Sequence, residues 1–208
     1  MPQHTVTLQS PWKRIRLVPP TASDDEIVSI CRTHPTTRQF LQFLPEHMTA
    51  EEAGNRRETR AEDKRIMDFH VHFTENGLTR FAGMTGYFNL DEGNESCEVG
   101  MLIMPDLHGK NLATEVFYTI LQYIFEVRNL HRVTFETAAD NLAMRSWFEK
   151  IAGARLEAER REVWKYPSGN FVDVKGYAIL EWEWRNHIKS RLEERLKGIS
   201  KPNNMDAA

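Results

Sequence analysis

The sequence predicts an α/β (α+β) domain in which helices flank a mixed, mostly antiparallel sheet. Apolar and polar residues alternate from Met67 to Phe73, as in a half-buried strand. Asn76 and Gly77 follow, and this pair is typical of a type I′ hairpin turn because both residues tolerate positive φ angles. Further along, the apolar run from Val99 to Met104 leads through a Gly-Lys pair into helical apolar spacing. The chain therefore combines antiparallel hairpins with one central strand–helix crossover.

The first part of the chain is predicted to hold one strand and two helices. Residues 13–20 (KRIRLVPP) alternate and stop at paired prolines, as a strand does, whereas residues 24–33 have helical spacing. An apolar loop, FLQFLP, follows at 40–45. The motif TAEE (49–52) is a capping box that opens a charged helix ending near Arg65. We interpret the many Arg and Glu side chains of this helix as a solvated face, with an anion-binding role as the alternative.

The remaining elements complete a sheet of about seven strands. After the hairpin turn, strands are predicted over 81–90, 97–104, 131–138, 155–165 and 170–183. Apolar residues four apart predict a helix over 112–127, and Asn141 is placed to cap another. The apolar stripe of that second helix is interpreted as core packing and consists of Met144, Trp147, Phe148 and Ile151.

A last charged helix is predicted over 185–197, with a narrow apolar seam of Ile188, Leu192 and Leu196. The seam is expected to dock either on the domain itself or on a partner. The partner could be a second copy of the chain, so a homodimer is one of the alternatives. We expect a single domain over 1–183, followed within 184–208 by this helix and a disordered tail, KPNNMDAA.

Composition and charge narrow the class of protein and of partner. The chain of 208 residues suits one domain, and 40% hydrophobic with 27% charged residues is typical of a soluble globular protein. A net charge of -3 and the lack of a long apolar run predict neither a nucleic-acid nor a membrane partner. The N-terminal residues show no apolar signal segment, which favours a cytoplasmic location.

No metal site is expected. Cys31 and Cys97 lie far apart and match no zinc spacing, so both are expected to be reduced thiols. His70 and His72 share one strand face, but no third ligand lies at a plausible spacing. We interpret the two histidines as part of a polar, solvent-facing strand surface.

The turn MPDLHGKNLATEV (104–116) gives the strongest indication of function. A strand that joins a helix through Gly-Lys offers free backbone N–H groups to a phosphate at the helix N-terminus. The P-loop pattern fails because Met104 stands at its first glycine and Asn111 follows the lysine. The dinucleotide pattern GxGxxG fails as well, because Asn111 and Thr114 stand at glycine positions.

This region resembles the GNAT superfamily of acyl-CoA-dependent N-acyltransferases. The family's pyrophosphate-binding motif has six positions. The first is Arg or Gln, the fourth is Gly, the sixth is Gly or Ala, and the others vary. HGKNLA matches it in part, with His108 at the first position and Asn111 at the glycine. The segments CEVGMLIMPDLHGKNLATE, NLHRV and GNFVDVKGYAIL resemble the branch of ribosomal-protein N-terminal acetyltransferases and spermidine acetyltransferases. Over residues 13–183 the resemblance implies the GNAT fold, with a splayed central strand.

The resemblance implies acetyl-CoA as co-substrate. Its pantetheine arm is expected along the central strand, where backbone groups are free, and its pyrophosphate at the amides of the turn and first helical residues. A strand N–H near Leu102 is expected to polarise the thioester carbonyl. The coenzyme-binding residues expected from the resemblance are Met101, Leu102, Ile103, His108, Gly109, Lys110, Asn111, Leu112, Ala113, Thr114 and Asn141.

The resemblance also implies direct attack of an amine on the thioester, with Glu98 as the catalytic base. Glu98 begins the splayed strand, where apolar neighbours should raise its pKa toward neutrality. The alternative is a structural role, in which the Glu98 carboxylate is hydrogen-bonded to the neighbouring strand loop. Glu136 is then the second candidate for the base. Relatives carry a Tyr or a Ser as general acid where this chain has Phe148 and Met144, so the acid is not identified, and Tyr177 is a weaker candidate.

The acceptor implied by the resemblance is a small amine or a peptide N-terminus. Phe40, Phe43, Leu44 and Pro45 are expected to form an apolar wall of its cleft. Because both familiar acids are absent and Asn111 breaks the motif, a catalytically impaired acyl-CoA-binding module is the alternative.

Overall fold

A computed structural model describes residues 3–198, which form one eight-stranded sheet with packed helices. The strands are β1 Leu8–Gln9, β2 Ile15–Val18, β3 Met67–Glu75, β4 Leu78–Asp91, β5 Ser96–Ile103, β6 Arg132–Ala138, β7 Arg155–Lys165 and β8 Phe171–Leu180. The helices are α1 Asp25–Thr33, α2 Pro35–Arg38, α3 Ala50–Glu62, α4 Leu112–Gln122, α5 Leu142–Ser146, α6 Glu181–Glu183 and α7 Lys189–Lys197. Single π-helical turns extend α4 and α5 and join α6 to α7.

The sheet order is β1-β2-β3-β4-β5-β6-β8-β7, and every pairing is antiparallel except the parallel pair β5–β6. The predicted mixed, mostly antiparallel sheet is confirmed, and the short β1 adds an eighth strand that the sequence pattern did not indicate. Strand β8 ends at Leu180, earlier than predicted. The Glu183 carboxylate accepts the Leu180 backbone N–H at 2.8 Å, which caps a helical start where a strand was expected.

The central strand β5 is splayed away from β6. Their pairing is limited to Ser96–Glu98 against Arg132–Thr134, after which β6 continues along β8 alone. Beyond Glu98 no strand within residues 3–198 pairs with β5 on this side, whereas its pairing with β4 continues to Ile103. The predicted splayed strand is therefore confirmed, and its split begins directly after Glu98.

Two local predictions are confirmed by backbone geometry. Asn76 and Gly77 have φ angles of 52° and 79°, as a type I′ turn requires. At the start of α3 the Thr49 hydroxyl accepts the Glu52 N–H at 3.1 Å, while the Glu52 carboxylate accepts the Thr49 N–H at 2.7 Å. This helix ends at Glu62, before the predicted boundary near Arg65.

The C-terminal helix packs on its own domain. Its seam of Ile188, Leu192 and Leu196 is buried in the core. The Tyr118 hydroxyl of α4 donates a hydrogen bond to Glu193 at 2.7 Å, which ties α7 to the central helix. The expected disordered tail lies outside the described residues. Within residues 3–198, no helix has both the length and the apolar character that a membrane span needs.

Candidate active site

Two cavities meet at the split of β5. The first, of about 310 Å³, lies between helices α1 and α3 and strands β3, β4 and β5. The second, of about 410 Å³, lies over the turn that precedes α4. Leu41, Met101 and Leu102 line both cavities. A molecule in one cavity can therefore reach a molecule in the other across the middle of β5.

The turn before α4 is shaped by two residues with left-handed backbone. Gly109 has φ 81° and Asn111 has φ 60°, a conformation that costs little for glycine and that asparagine tolerates better than most residues. The Asn111 side chain makes no capping hydrogen bond, so the first N–H groups of α4 have no intrahelical or side-chain partner there. His108 Nε2 donates to the Ile103 carbonyl at 3.1 Å and holds the turn against the end of β5.

Most of the residues expected to hold the coenzyme surround the second cavity. Lys110 is the exception, because its Nζ pairs with Glu75 at 2.9 Å on the β3–β4 hairpin. The expected residues that line this cavity are Met101, Leu102, Ile103, His108, Gly109, Asn111, Leu112, Ala113, Thr114 and Asn141.

Backbone groups of β5 face the split at alternate residues. The Met104 N–H donates to the Ala82 carbonyl at 2.9 Å, so even-numbered residues of this register direct their backbone groups toward β4. Odd-numbered residues then face the split, among them Val99 and Met101. The N–H expected near Leu102 is therefore better assigned to Met101, since that of Leu102 points toward β4.

The apolar stripe near α5 divides between cavity and core. Asn141 caps α5, as predicted, because its Oδ1 accepts the Met144 N–H at 3.2 Å. Phe148 lies in the core, stacked on Tyr177 with ring centroids 4.8 Å apart, and lines neither cavity. The interpretation of the stripe as core packing is confirmed, since Trp147 and Phe148 are core residues and Met144 and Ile151 pack against them. Three members also line the second cavity: Met144, Trp147 and Ile151.

Glu98 lies in the first cavity, just before the split. Burial, and then the negative charge of Glu136, raise the pKa of Glu98, against the hydrogen bond that Asn89 Nδ2 donates to it at 3.1 Å. The expected rise in pKa is thus confirmed, and the alternative hydrogen bond to the neighbouring strand is present as well. Glu136 lines the same cavity but is ion-paired with Arg160.

The other reactive side chains are less suited to catalysis. The Tyr177 hydroxyl donates to Glu149 at 2.6 Å, and burial and this carboxylate raise its pKa to about 12. Tyr177 lines neither cavity. Burial also raises the pKa of the Cys97 thiol to about 12, which keeps it protonated and makes it a poor nucleophile.

The two histidines of β3 do not form a solvent-facing surface. His70 Nδ1 and His72 Nε2 lie 2.8 Å and 3.2 Å from the same Asp24 carboxylate oxygen. Burial opposes ionisation of Asp24, but these hydrogen bonds outweigh it and hold its pKa well below the usual range. In the part of the chain that the structure describes, no group of three or more His, Cys, Asp or Glu side chains could hold a metal ion.

The arginines of α3 were misjudged from the sequence, and that of α1 was not singled out. Arg32, Arg56, Arg57 and Arg60 line the first cavity, so the interpretation of α3 as a solvated face was wrong for its arginines. The helical spacing from the small, buried Ala53 to positions 56, 57 and 60 was the signal that could have placed them on the inward face.

The expected apolar wall of the acceptor cleft is divided in the structure. Phe43 and Leu44 line the first cavity, Phe40 lines the second, and Pro45 lines neither. The rings of Phe43 and of Trp164, on β7, pack edge to face with their centroids 5.0 Å apart. No sequence pattern indicated this contact between distant segments.

Comparison with known proteins points to one family. Residues 14–153 match the family model of the acetyltransferase (GNAT) domain. The "Putative ribosomal N-acetyltransferase YdaF" of Bacillus subtilis is 28% identical over 173 residues, which is 82% of this chain and 92% of that protein.

Solved structures share the fold. A spermidine N-acetyltransferase from Vibrio cholerae, in complex with CoA and spermine, has a TM-score of 0.74 at 20% identity over 83% of this chain and 99% of its own. A GCN5-related N-acetyltransferase from Brucella melitensis has a TM-score of 0.76 at 20% identity over 98% of this chain and 89% of its own. Since the family model covers more than half of the chain and most residues that line the two cavities, the chain belongs to the GNAT acetyltransferase family, a family of acyl-CoA-dependent N-acetyltransferases.

Proposed function

We propose that the protein transfers the acetyl group of acetyl-CoA to a primary amine, either a small amine or a peptide N-terminus, by direct attack of the amine. The observation that carries the proposal is the meeting of two cavities at Met101 and Leu102, on the unpaired side of β5. One cavity is bordered by a helix N-terminus suited to phosphate, and the other holds a carboxylate suited to accept a proton.

The second cavity fits the coenzyme. The left-handed turn at Gly109 and Asn111 exposes the first N–H groups of α4, and the helix dipole adds attraction for a pyrophosphate. Backbone groups of Val99 and Met101 face the split, where a pantetheine amide can take the place of a neighbouring strand. The Trp147 indole N–H donates to Thr114 at 3.0 Å and fixes one wall of the cavity. Bound acetyl-CoA supplies the acetyl group as a thioester.

Glu98 is proposed as the base that takes a proton from the acceptor amine. Its raised pKa brings it closer to neutrality, where a base is most effective, and at pH 7 it still has to be ionised to act. Its position on β5, two residues before Gly100 and four before Leu102, places it on the strand face that leads to the meeting point of the cavities. The Met101 N–H is proposed to polarise the thioester carbonyl.

No tyrosine or serine among the described residues lines either cavity. The departing thiol of CoA is therefore proposed to take its proton from water. A thiol has an ordinary pKa of about 8.5, so its thiolate is a good leaving group without a side-chain acid.

Thiol release from acetyl-CoA tests the proposal directly. The acceptor panel should include spermidine and peptides with free N-termini, since related proteins are named for spermidine and for ribosomal substrates. We expect amine-dependent thiol release, together with a higher Tm in acetyl-CoA than in NAD or ATP. Stabilisation by acetyl-CoA without turnover of any amine would favour the alternative, an acyl-CoA-binding module. Equal stabilisation by all three ligands would contradict the coenzyme assignment.

A further inference from the structure

The helical wall of the first cavity carries more positive charge than its carboxylates neutralise. Two of its four arginines are paired. Arg57 contacts both oxygens of Asp25, each at 2.9 Å, and Arg60 contacts both oxygens of Asp68, at 2.6 and 2.7 Å. Both oxygens of each of these two carboxylates therefore accept hydrogen bonds from one guanidinium group.

The other two guanidinium groups have no partner. Arg56 makes no hydrogen bond or ion pair with any residue from 3 to 198, and the Nε of Arg32 is buried without a hydrogen-bond partner. Burial lowers the pKa of Arg56 to about 10, helped by repulsion from Arg32 and Arg60, so both groups stay charged at neutral pH. Two charged guanidinium groups without a carboxylate partner line the cavity, which makes this wall a site at which an anion can bind.

The remaining carboxylates lie on the opposite side of the cavity. Glu98 is on β5, and Glu136, on β6, is held by Arg160. Between the two sides the sheet presents Gly86 and Gly100, which are register partners, and the Phe88 ring lies against Gly100. Asp68, the partner of Arg60, lies on β3 opposite Gly86, so β3 and the strand of Glu98 are two strand spacings apart, about 10 Å.

We propose that the acceptor is a primary amine that also carries a carboxylate, which Arg32 and Arg56 bind while the amine lies toward Glu98. The guanidinium fork matches a carboxylate in geometry as well as in charge. The apolar part of the wall, including Val28, Leu44 and Phe43, suits a hydrocarbon body between the two groups. A polyamine would instead bring positive charge against two unpaired guanidiniums. The inference rests on the proposed function, because it takes the first cavity as the acceptor site.

The test compares each amino acid with its own amide as acceptor, for leucine and for ω-amino acids of increasing chain length. The amide keeps the amine and the hydrocarbon body but removes the anion. At neutral pH a larger fraction of an α-amino amide is unprotonated and able to attack, so a preference for the acid is a stringent result. Peptides with glutamate in the second position form a separate arm, which distinguishes a peptide side chain from a free amino acid as the source of the carboxylate. Spermidine serves as the cationic comparison.

Arg56→Gln is the decisive variant, and Arg65→Gln, at an exposed arginine just beyond α3, is its matched control. We expect KM for the acid to rise about 10- to 100-fold in Arg56→Gln, the usual loss for a hydrogen bond to a charged group, with kcat and the KM for the amide little changed. Arg56→Lys should recover part of the loss. Arg56→Gln should also raise the Tm without ligand, because it removes the repulsion between Arg56 and its neighbours Arg32 and Arg60, and the control should change none of these values.

Binding is measured apart from turnover, so that the two proposals can fail separately. If leucine or an ω-amino acid raises the Tm of the natural protein but not of Arg56→Gln, the carboxylate site stands even if no thiol is released. Equal acceptance of acids and amides, a preference for spermidine, or a loss of CoA affinity in Arg56→Gln would each overturn the inference.

Discussion

Replacing Glu98 by Gln removes the proposed base and changes little else. The amide has the size of the carboxylate and can still accept the 3.1 Å hydrogen bond from Asn89. Glu136 cannot readily take over, because Arg160 is paired with it. We therefore expect kcat/KM to fall by about 10²- to 10⁴-fold at pH 7, the usual contribution of general base catalysis, while CoA affinity stays within twofold or so of the original.

The pH dependence follows from the raised pKa of Glu98. Activity of the natural protein should fall as the pH drops through this pKa, which lies above the ordinary pKa of a glutamate side chain, because a protonated carboxyl cannot accept a proton. The defect of Glu98→Gln should shrink as the pH rises, since the amine then loses its proton unaided. The effect of the ionised Glu98 on folding stability is opposite to its effect on activity. A carboxyl whose pKa is raised in the folded state costs nothing below its unfolded pKa and destabilises the fold above its folded pKa.

Glu98→Gln should thus have a higher Tm than the natural protein at pH 7, and the two values should converge as the pH approaches 4. Thiol release across pH 6–10 and thermal unfolding across pH 4–7 provide the two profiles, with Glu92→Gln, in the exposed loop after β4, as the matched control. A catalytic defect that is constant with pH would refute the assignment of Glu98 as the base. A Tm difference that persists at low pH would refute the charge-burial account.

Three further changes test the site and the packing around it. Phe148→Tyr should lower stability by about 1–3 kcal/mol without raising kcat, because the new hydroxyl enters a core that holds Phe148 2% exposed; a gain in kcat with unchanged Tm would place the ring at the reacting sulfur instead. Asn111→Gly should tighten CoA binding in calorimetry, since glycine adopts φ 60° without a side chain beside the phosphates, whereas weaker binding would mean that the Asn111 amide donates to a phosphate. Leu192→Ala should cost about 2–5 kcal/mol in chemical unfolding at any protein concentration, and a cost that depended on concentration would indicate that the seam binds a second copy.

Local geometry was largely determined by the sequence. The Asn76-Gly77 turn, the capping box of α3 and the Asn141 cap each depend on a few neighbouring residues, and all three were predicted correctly. The left-handed turn before α4 also followed from local chemistry, since few residue types other than Gly and Asn occupy it at low cost. The alternation of apolar and polar residues showed which side chains of β3 to β5 share a face. The mixed sheet and its single strand–helix crossover could therefore be predicted as well.

Only the tertiary structure decided what each face meets. Periodicity assigned Trp147 and Phe148 to one stripe, and both are buried in the core, but only Trp147 also borders the second cavity. The arginines of α3 look solvated in a charged helix, yet the packing of α1 against α3 turns Arg56 inward. The split of β5 after Glu98 depends on β6 continuing along β8, a pairing between segments far apart in the chain. A local pattern specifies which side of an element is apolar or charged, whereas distant segments determine whether that side is packed, exposed or left open as a cavity.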